Sequence, residues 1–109
     1  MSRTYRIAEE FSPTPGGRFK RNGPWSGEAF RDDVLQGLLR DAVEAGDRLT
    51  VILDGASGYG SSFLEEAFGG LIRRKMFTGK QVKQHLVIQA QDSLYETYRL
   101  SAERYMSAA

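Results

Sequence analysis

The sequence predicts an α/β fold: a single domain over residues 1–109, with a mixed sheet of about four strands covered by helices. Three observations predict it. Two short, nearly continuous apolar runs, Leu49-Thr50-Val51-Ile52-Leu53 and His85-Leu86-Val87-Ile88-Gln89-Ala90, have the pattern of buried strands. Helical stripes stand between and around them, and strand–helix–strand units imply parallel neighbours joined by right-handed crossovers. With 109 residues, 40% of them apolar, the chain can bury one core of ordinary size.

The elements follow in order. Tyr5-Arg6-Ile7-Ala8 alternates weakly and reads as a half-buried or edge strand. The turn-rich Phe11-Ser12-Pro13-Thr14-Pro15-Gly16-Gly17 leads to Arg18-Phe19-Lys20, so a hairpin at one side of the sheet is expected. A second turn cluster, Arg21-Asn22-Gly23-Pro24-Trp25, precedes Ser26, which opens the first helix. Phe30, Val34, Leu35, Leu38, Leu39, Ala42 and Val43 form its apolar stripe, Glu28, Asp32 and Asp33 suit its positive end, and Gly46 ends it.

After the 49–53 strand comes a glycine loop. A second helix then carries Phe63, Leu64, Ala67, Phe68, Leu71 and Ile72 on one face, with Arg73, Arg74 and Lys75 at its end. The 85–90 strand leads to a last helix, capped by Asp92 or Ser93, with Leu94, Tyr95, Tyr98, Ala102, Tyr105 and Met106 turned inward. The order is β-β-α-β-α-β-α.

Composition narrows the chemistry. Fifteen basic and 14 acidic side chains leave a net charge of +1, too little for a phosphate-neutralising face, so no nucleic-acid partner is expected. No cysteine is present, which removes disulfides, thiolate metal sites and Cys nucleophiles, and one histidine leaves little for metal catalysis. No enzyme activity, metal or cofactor is therefore expected. No run reaches the roughly 18 apolar residues of a membrane span, and the N-terminus leads into no apolar signal region. A cytoplasmic protein, monomeric or weakly dimeric, is expected.

The 12 glycines are a surplus over the roughly 7% of ordinary chains. Three of them fall within six residues of Asp54-Gly55-Ala56-Ser57-Gly58-Tyr59-Gly60-Ser61-Ser62-Phe63-Leu64-Glu65-Glu66, at the carboxyl end of a central strand, where α/β sheets place functional loops. Ser62-Phe63-Leu64-Glu65 matches the capping box, with Ser62 as N-cap and Glu65 reaching back, so Ser61 lies just outside the helix and faces solvent.

Three functions compete for this loop. A nucleotide or small ligand in the Gly55–Gly60 loop is one, since helix N-termini attract anions. Against it, no Gly-Lys-Ser/Thr follows, Phe63 stands where a dinucleotide fingerprint has its third glycine, and Glu65 and Glu66 repel phosphate. Hydrolysis by Ser61 with Asp54 and His85 is the second. His85 opens its strand whereas Ser61 follows a strand's far end, about 17 Å away at roughly 3.3 Å per residue, too far for a general base. The third is a regulatory serine, whose phosphate adds close to two negative charges at the loop mouth. It needs no catalytic group.

At these residues the sequence resembles the STAS-like proteins, bacterial relatives of STAS anti-sigma-factor antagonists. The likeness runs from Leu49 to Asp54 and through Ser61-Ser62-Phe63-Leu64-Glu65-Glu66-Ala67-Phe68-Gly69, with Gly17-Arg18-Phe19 and the segment from Gly23 to Arg31 also similar. The resemblance implies a STAS fold and a regulatory module docking on a histidine-kinase-like ATPase. It implies Ser61 and Ser62 as phospho-acceptors, and Asp54, Gly58, Tyr59, Gly60, Phe63 and Glu66 as partner-binding residues. Antagonists carry Asp-Ser-Ser-Gly-Leu-Gly at this point; here Gly60 replaces the aspartate and Phe63 the following glycine.

Outside the loop, Trp25 reads either as a staple against the first helix or as an exposed anchor. Gly69-Gly70 interrupts the second helix at about 1 kcal/mol each relative to alanine. Close packing on the sheet or an approaching partner backbone would explain them. Arg73, Arg74, Lys75, Lys80 and Lys83 read as a solvated cluster.

Overall fold

The computed structural model describes residues 2–109. Its sheet has three strands, β1 (Arg3–Arg6), β2 (Leu49–Ile52) and β3 (Leu86–Gln89), in the order β1-β2-β3. Both pairings are parallel, in the registers Tyr5↔Val51 and Val51↔Ile88. Strand order follows chain order, so right-handed crossovers place the connecting helices on one face. Burial agrees: Tyr5, Leu49, Val51, Leu86 and Ile88 are buried, while Thr4, Val87 and Gln89 on the opposite face are exposed.

Among the described residues, four longer helices and a single wide helical turn at Ile7–Phe11 accompany the sheet. Helix α1 (27–45) begins at Gly27–Phe30, widens to i→i+5 spacing over Arg31–Leu35, and continues as Gln36–Ala45. Helix α2 (61–73) repeats this design, with Ser61–Leu64, a wide turn at Glu65–Gly69, and Gly70–Arg73. Helices α3 (Gly79–His85) and α4 (Glu96–Ala108) flank β3. The N-cap of α1 is Ser26, whose Oγ accepts from the Ala29 amide at 3.1 Å, and Gly46 closes it in the left-handed region. Phe30 is the centre of the core, in ring contact with Tyr5, Phe11, Phe63 and Phe68.

Three expectations are corrected. The sheet has three parallel strands and not four in a mixed arrangement, because the expected N-terminal hairpin does not form. Residues 12–25 instead cross the start of α1 as a strap. The Gly27 and Glu28 amides donate to the Gly17 and Arg18 carbonyls at 2.9 and 3.0 Å, so the strap satisfies orphan donors of the helix. A two-strand ladder would leave those donors to water. Second, α3 stands where no helix was expected; Thr78 caps it through a capping box with Gln81. His85 therefore ends a helix and does not open a strand. Third, Leu94 is exposed on the turn that Asp92 caps before α4, not turned inward.

Candidate functional site

The loop from residue 53 to residue 60 is held from beneath. Tyr59 is buried, and its hydroxyl donates to the Leu53 carbonyl at 2.7 Å. Burial, with the nearby charges of Tyr95 and Asp54, pushes its phenol well above the usual range. Tyr95 donates to the Ala56 carbonyl at 2.5 Å, and the Ser57 amide donates to the Pro13 carbonyl at 2.8 Å. At Gly58 the φ of +150° strains any other residue, and a Cβ there would press on the Tyr98 hydroxyl at 3.1 Å. Asp54 ties the loop to the exit of β3, accepting the Gln91 and Asp92 amides at 2.8 and 2.7 Å.

At the rim of this pinned loop the chain turns into α2. The N-cap is Gly60, not Ser62; Ser61 and Ser62 are the first two helical residues, both exposed. Neither hydroxyl makes a hydrogen bond among the described residues. The expected capping box is thus corrected, and the reason lies in where Glu65 goes. Its carboxylate takes Arg18 Nη1 at 2.5 Å and also pairs with Arg73, so it cannot reach back to the helix start.

Glu66, beside it, is buried. Arg31, with no exposed side-chain surface, donates through Nη1 to Glu66 Oε2 at 2.5 Å and to the Glu66 carbonyl at 2.9 Å. Arg73 and Arg18 reach the other carboxylate oxygen at 3.1 and 3.3 Å, and Arg31 Nε donates to Asp32 at 2.9 Å. Burial opposes the charge on Glu66, but the hydrogen bond and charge of Arg31, with Arg73 and Arg18, outweigh it and hold the carboxyl below its usual range. Burial likewise opposes the Arg31 charge, and its bonds to Glu66 and Asp32 prevail. Arg31 Nη2 is buried without a hydrogen-bond partner among the described residues.

Three glycines make room for this arrangement. A Cβ on Gly70 would lie 2.6 Å from Arg31 Nη1, one on Gly69 2.9 Å from Glu65 Oε2, and one on Gly27 2.5 Å from the Phe63 carbonyl. The Gly69-Gly70 pair therefore admits side chains of the ion network, Glu65 beside Gly69 and Arg31 beside Gly70. Sequence reasoning missed Arg31. The signal was its position, four residues after Gly27 and four before Leu35, inside the apolar stripe of α1.

Of the expected site residues, the structure brings Gly58, Gly60, Ser61 and Ser62 to the surface together. Tyr59, Phe63 and Glu66 are buried beneath that surface, and both oxygens of Asp54 are engaged by amides. His85 bonds the Asp47 carbonyl at 2.7 Å, at the opposite end of the strands from Ser61. Trp25 is 44% exposed, with its ring edge-on to Phe11 at 5.5 Å. Arg74, Lys75, Lys80 and Lys83 are exposed, whereas Arg73 belongs to the ion network. No helix among the described residues is long and apolar enough to cross a membrane.

The model of a family described as a STAS-like domain of unknown function (DUF4325) matches residues 26–94, from the cap of α1 to just beyond β3. No curated protein and no solved structure matches the chain significantly. The matched span contains the glycine loop, both exposed serines and the Arg31–Glu66 pair, and the chain belongs to this STAS-like family.

Proposed function

We propose that this chain is a non-catalytic regulatory module. It docks on a histidine-kinase-like ATPase through the surface of Gly58, Gly60, Ser61 and Ser62, and modification of Ser61 or Ser62 switches the docking. The observation that carries this reading is the pair of adjacent, exposed, unbonded hydroxyls in the first turn of α2, presented by a loop that is fixed from below. A phosphate on either serine would meet the positive end of the helix. Glu65 and Glu66, which would otherwise repel it, are neutralised by Arg18, Arg31 and Arg73.

A small ligand in the glycine loop finds less support. The space beside Gly55 is taken by Ala8, whose Cβ lies 3.2 Å from where a side chain would start, and the space beside Gly58 by Tyr98. These glycines make room for the protein's own side chains. The test is to incubate the full chain with an ATPase encoded beside it and with ATP, then map phosphate by mass spectrometry. Phosphate on Ser61 or Ser62 is expected; none on either would remove the switch.

A further inference from the structure

The two edges of the sheet are built differently. At the β1 edge, Arg3 and Arg6 are charged, and the outward Arg6 amide is covered by Glu10 Oε2 at 2.8 Å, with Arg3 pairing the same carboxylate at 3.2 Å. Charges and capped amides keep other strands off an edge. The β3 edge, Leu86-Val87-Ile88-Gln89, has no charge, proline or bulge. The Gln89 carbonyl accepts from the Leu53 amide at 3.0 Å, so Gln89 faces β2, and by alternation the N–H and C=O of Ile88 face away from the sheet. Among the described residues no fourth strand meets them.

Beside this edge runs a groove of about 710 Å³, with apolar walls from Ile72, Val82 and Met106 and with Lys83 and Glu103 at its rim. Val87 is 37% exposed along it. Leu100, 52% exposed, lies on the same side of α4 as Glu103 and Ser107, three and seven residues on. Val87 thus lines a groove that ends on an unpaired strand edge, and Leu100 projects from the side of α4 that carries two of the groove's lining residues.

We propose that this edge is the interface between two copies of the chain, with β3 pairing antiparallel to its own counterpart about a two-fold axis. The outward backbone groups of Ile88 can be satisfied by water or by a pairing strand, whereas an apolar helix laid in the groove would deprive them of both. A two-fold pairing sets each residue against a copy of the same surface. β3 brings no like charges opposite one another, and the rim offers a lysine and a glutamate of opposite sign. The same pairing through β1 would oppose arginines. The groove faces give α4 and its counterpart a place to bury Leu100.

Sedimentation velocity of the full chain over a wide concentration range tests this. The expected result is reversible growth from the 12.2 kDa protomer to twice that mass, with exchange of the Ile88 amide slowing as dimer accumulates. Val87→Lys and Leu100→Glu should each weaken dimerisation at least tenfold with the circular dichroism spectrum and Tm unchanged, and Thr4→Lys on the opposite edge should not. Should Val87→Lys fail to fold, Leu100→Glu decides alone. A single 12.2 kDa species at every concentration would overturn the proposal. So would a dimer that survives Leu100→Glu, or one that Thr4→Lys disrupts equally.

Discussion

The first and second turns of α2 lie one above the other and have opposite fates. Ser61 and Ser62 carry small polar side chains with no bond partner among the described residues, open to solvent. Glu65 and Glu66, one turn on, carry full charges held by three arginines from the strap, from α1 and from the end of α2 itself. The difference teaches that the helix start is free because the next turn is fixed. Drawing Glu65 to Arg18 and Arg73 denies the serines a capping box and leaves both hydroxyls exposed. The proposed docking surface and the ion network thus occupy adjacent turns of one helix, and variants should separate them.

The largest effect is expected where the fixed turn is broken. Arg31→Met leaves Glu66 buried without its main partner and should cost about 3–5 kcal/mol in urea unfolding. Replacing Glu66 with leucine in the same variant should recover much of that loss, since the two side chains are coupled. Gly70→Ala pushes a methyl group against Arg31 and should cost about 1–3 kcal/mol in the same assay. A third break is by acid. The folded-state pKa of Glu66 lies below its unfolded value, so its contribution is complete above that unfolded value, roughly 4.3, and is lost as pH falls further. Glu66→Gln should flatten that part of the stability–pH curve. The smallest effect sharpens the contrast: Ser61→Glu and Ser62→Glu should leave Tm nearly unchanged or raise stability by about 0.3–1 kcal/mol through the helix dipole.

Much of the fold was legible in the sequence because apolar period and caps agreed. The 49–53 run, the α1 stripe, Ser26 and Gly46 all lie where their chemistry placed them. Failures came where local chemistry was overruled from a distance. Ser62-x-x-Glu65 is a valid capping box in isolation, and only arginines 47 residues earlier and 8 later draw Glu65 away. Arg18-Phe19-Lys20 looked strand-like, yet its neighbouring carbonyls serve the start of α1. Helix α3 was missed although Thr78 and Gln81 spell its cap, because only Val82 within it is buried and no stripe announces it. The exposure of Ser61 was legible; the freedom of Ser62, which reads as a cap, and the buried ion pair beneath were not, since one member of that pair is a charge inside an apolar stripe.

In the proposed function the exposed turn acts in docking while the turn below it acts in stability. Gly60 separates them best: it is exposed, its φ is −69°, and a Cβ there would meet nothing within 4 Å. The decisive measurement is the affinity of Gly60→Trp for the proposed ATPase partner by calorimetry, alongside its Tm. At least a tenfold loss of affinity at unchanged Tm is the predicted result. Unchanged affinity in a folded Gly60→Trp protein would contradict the docking surface itself.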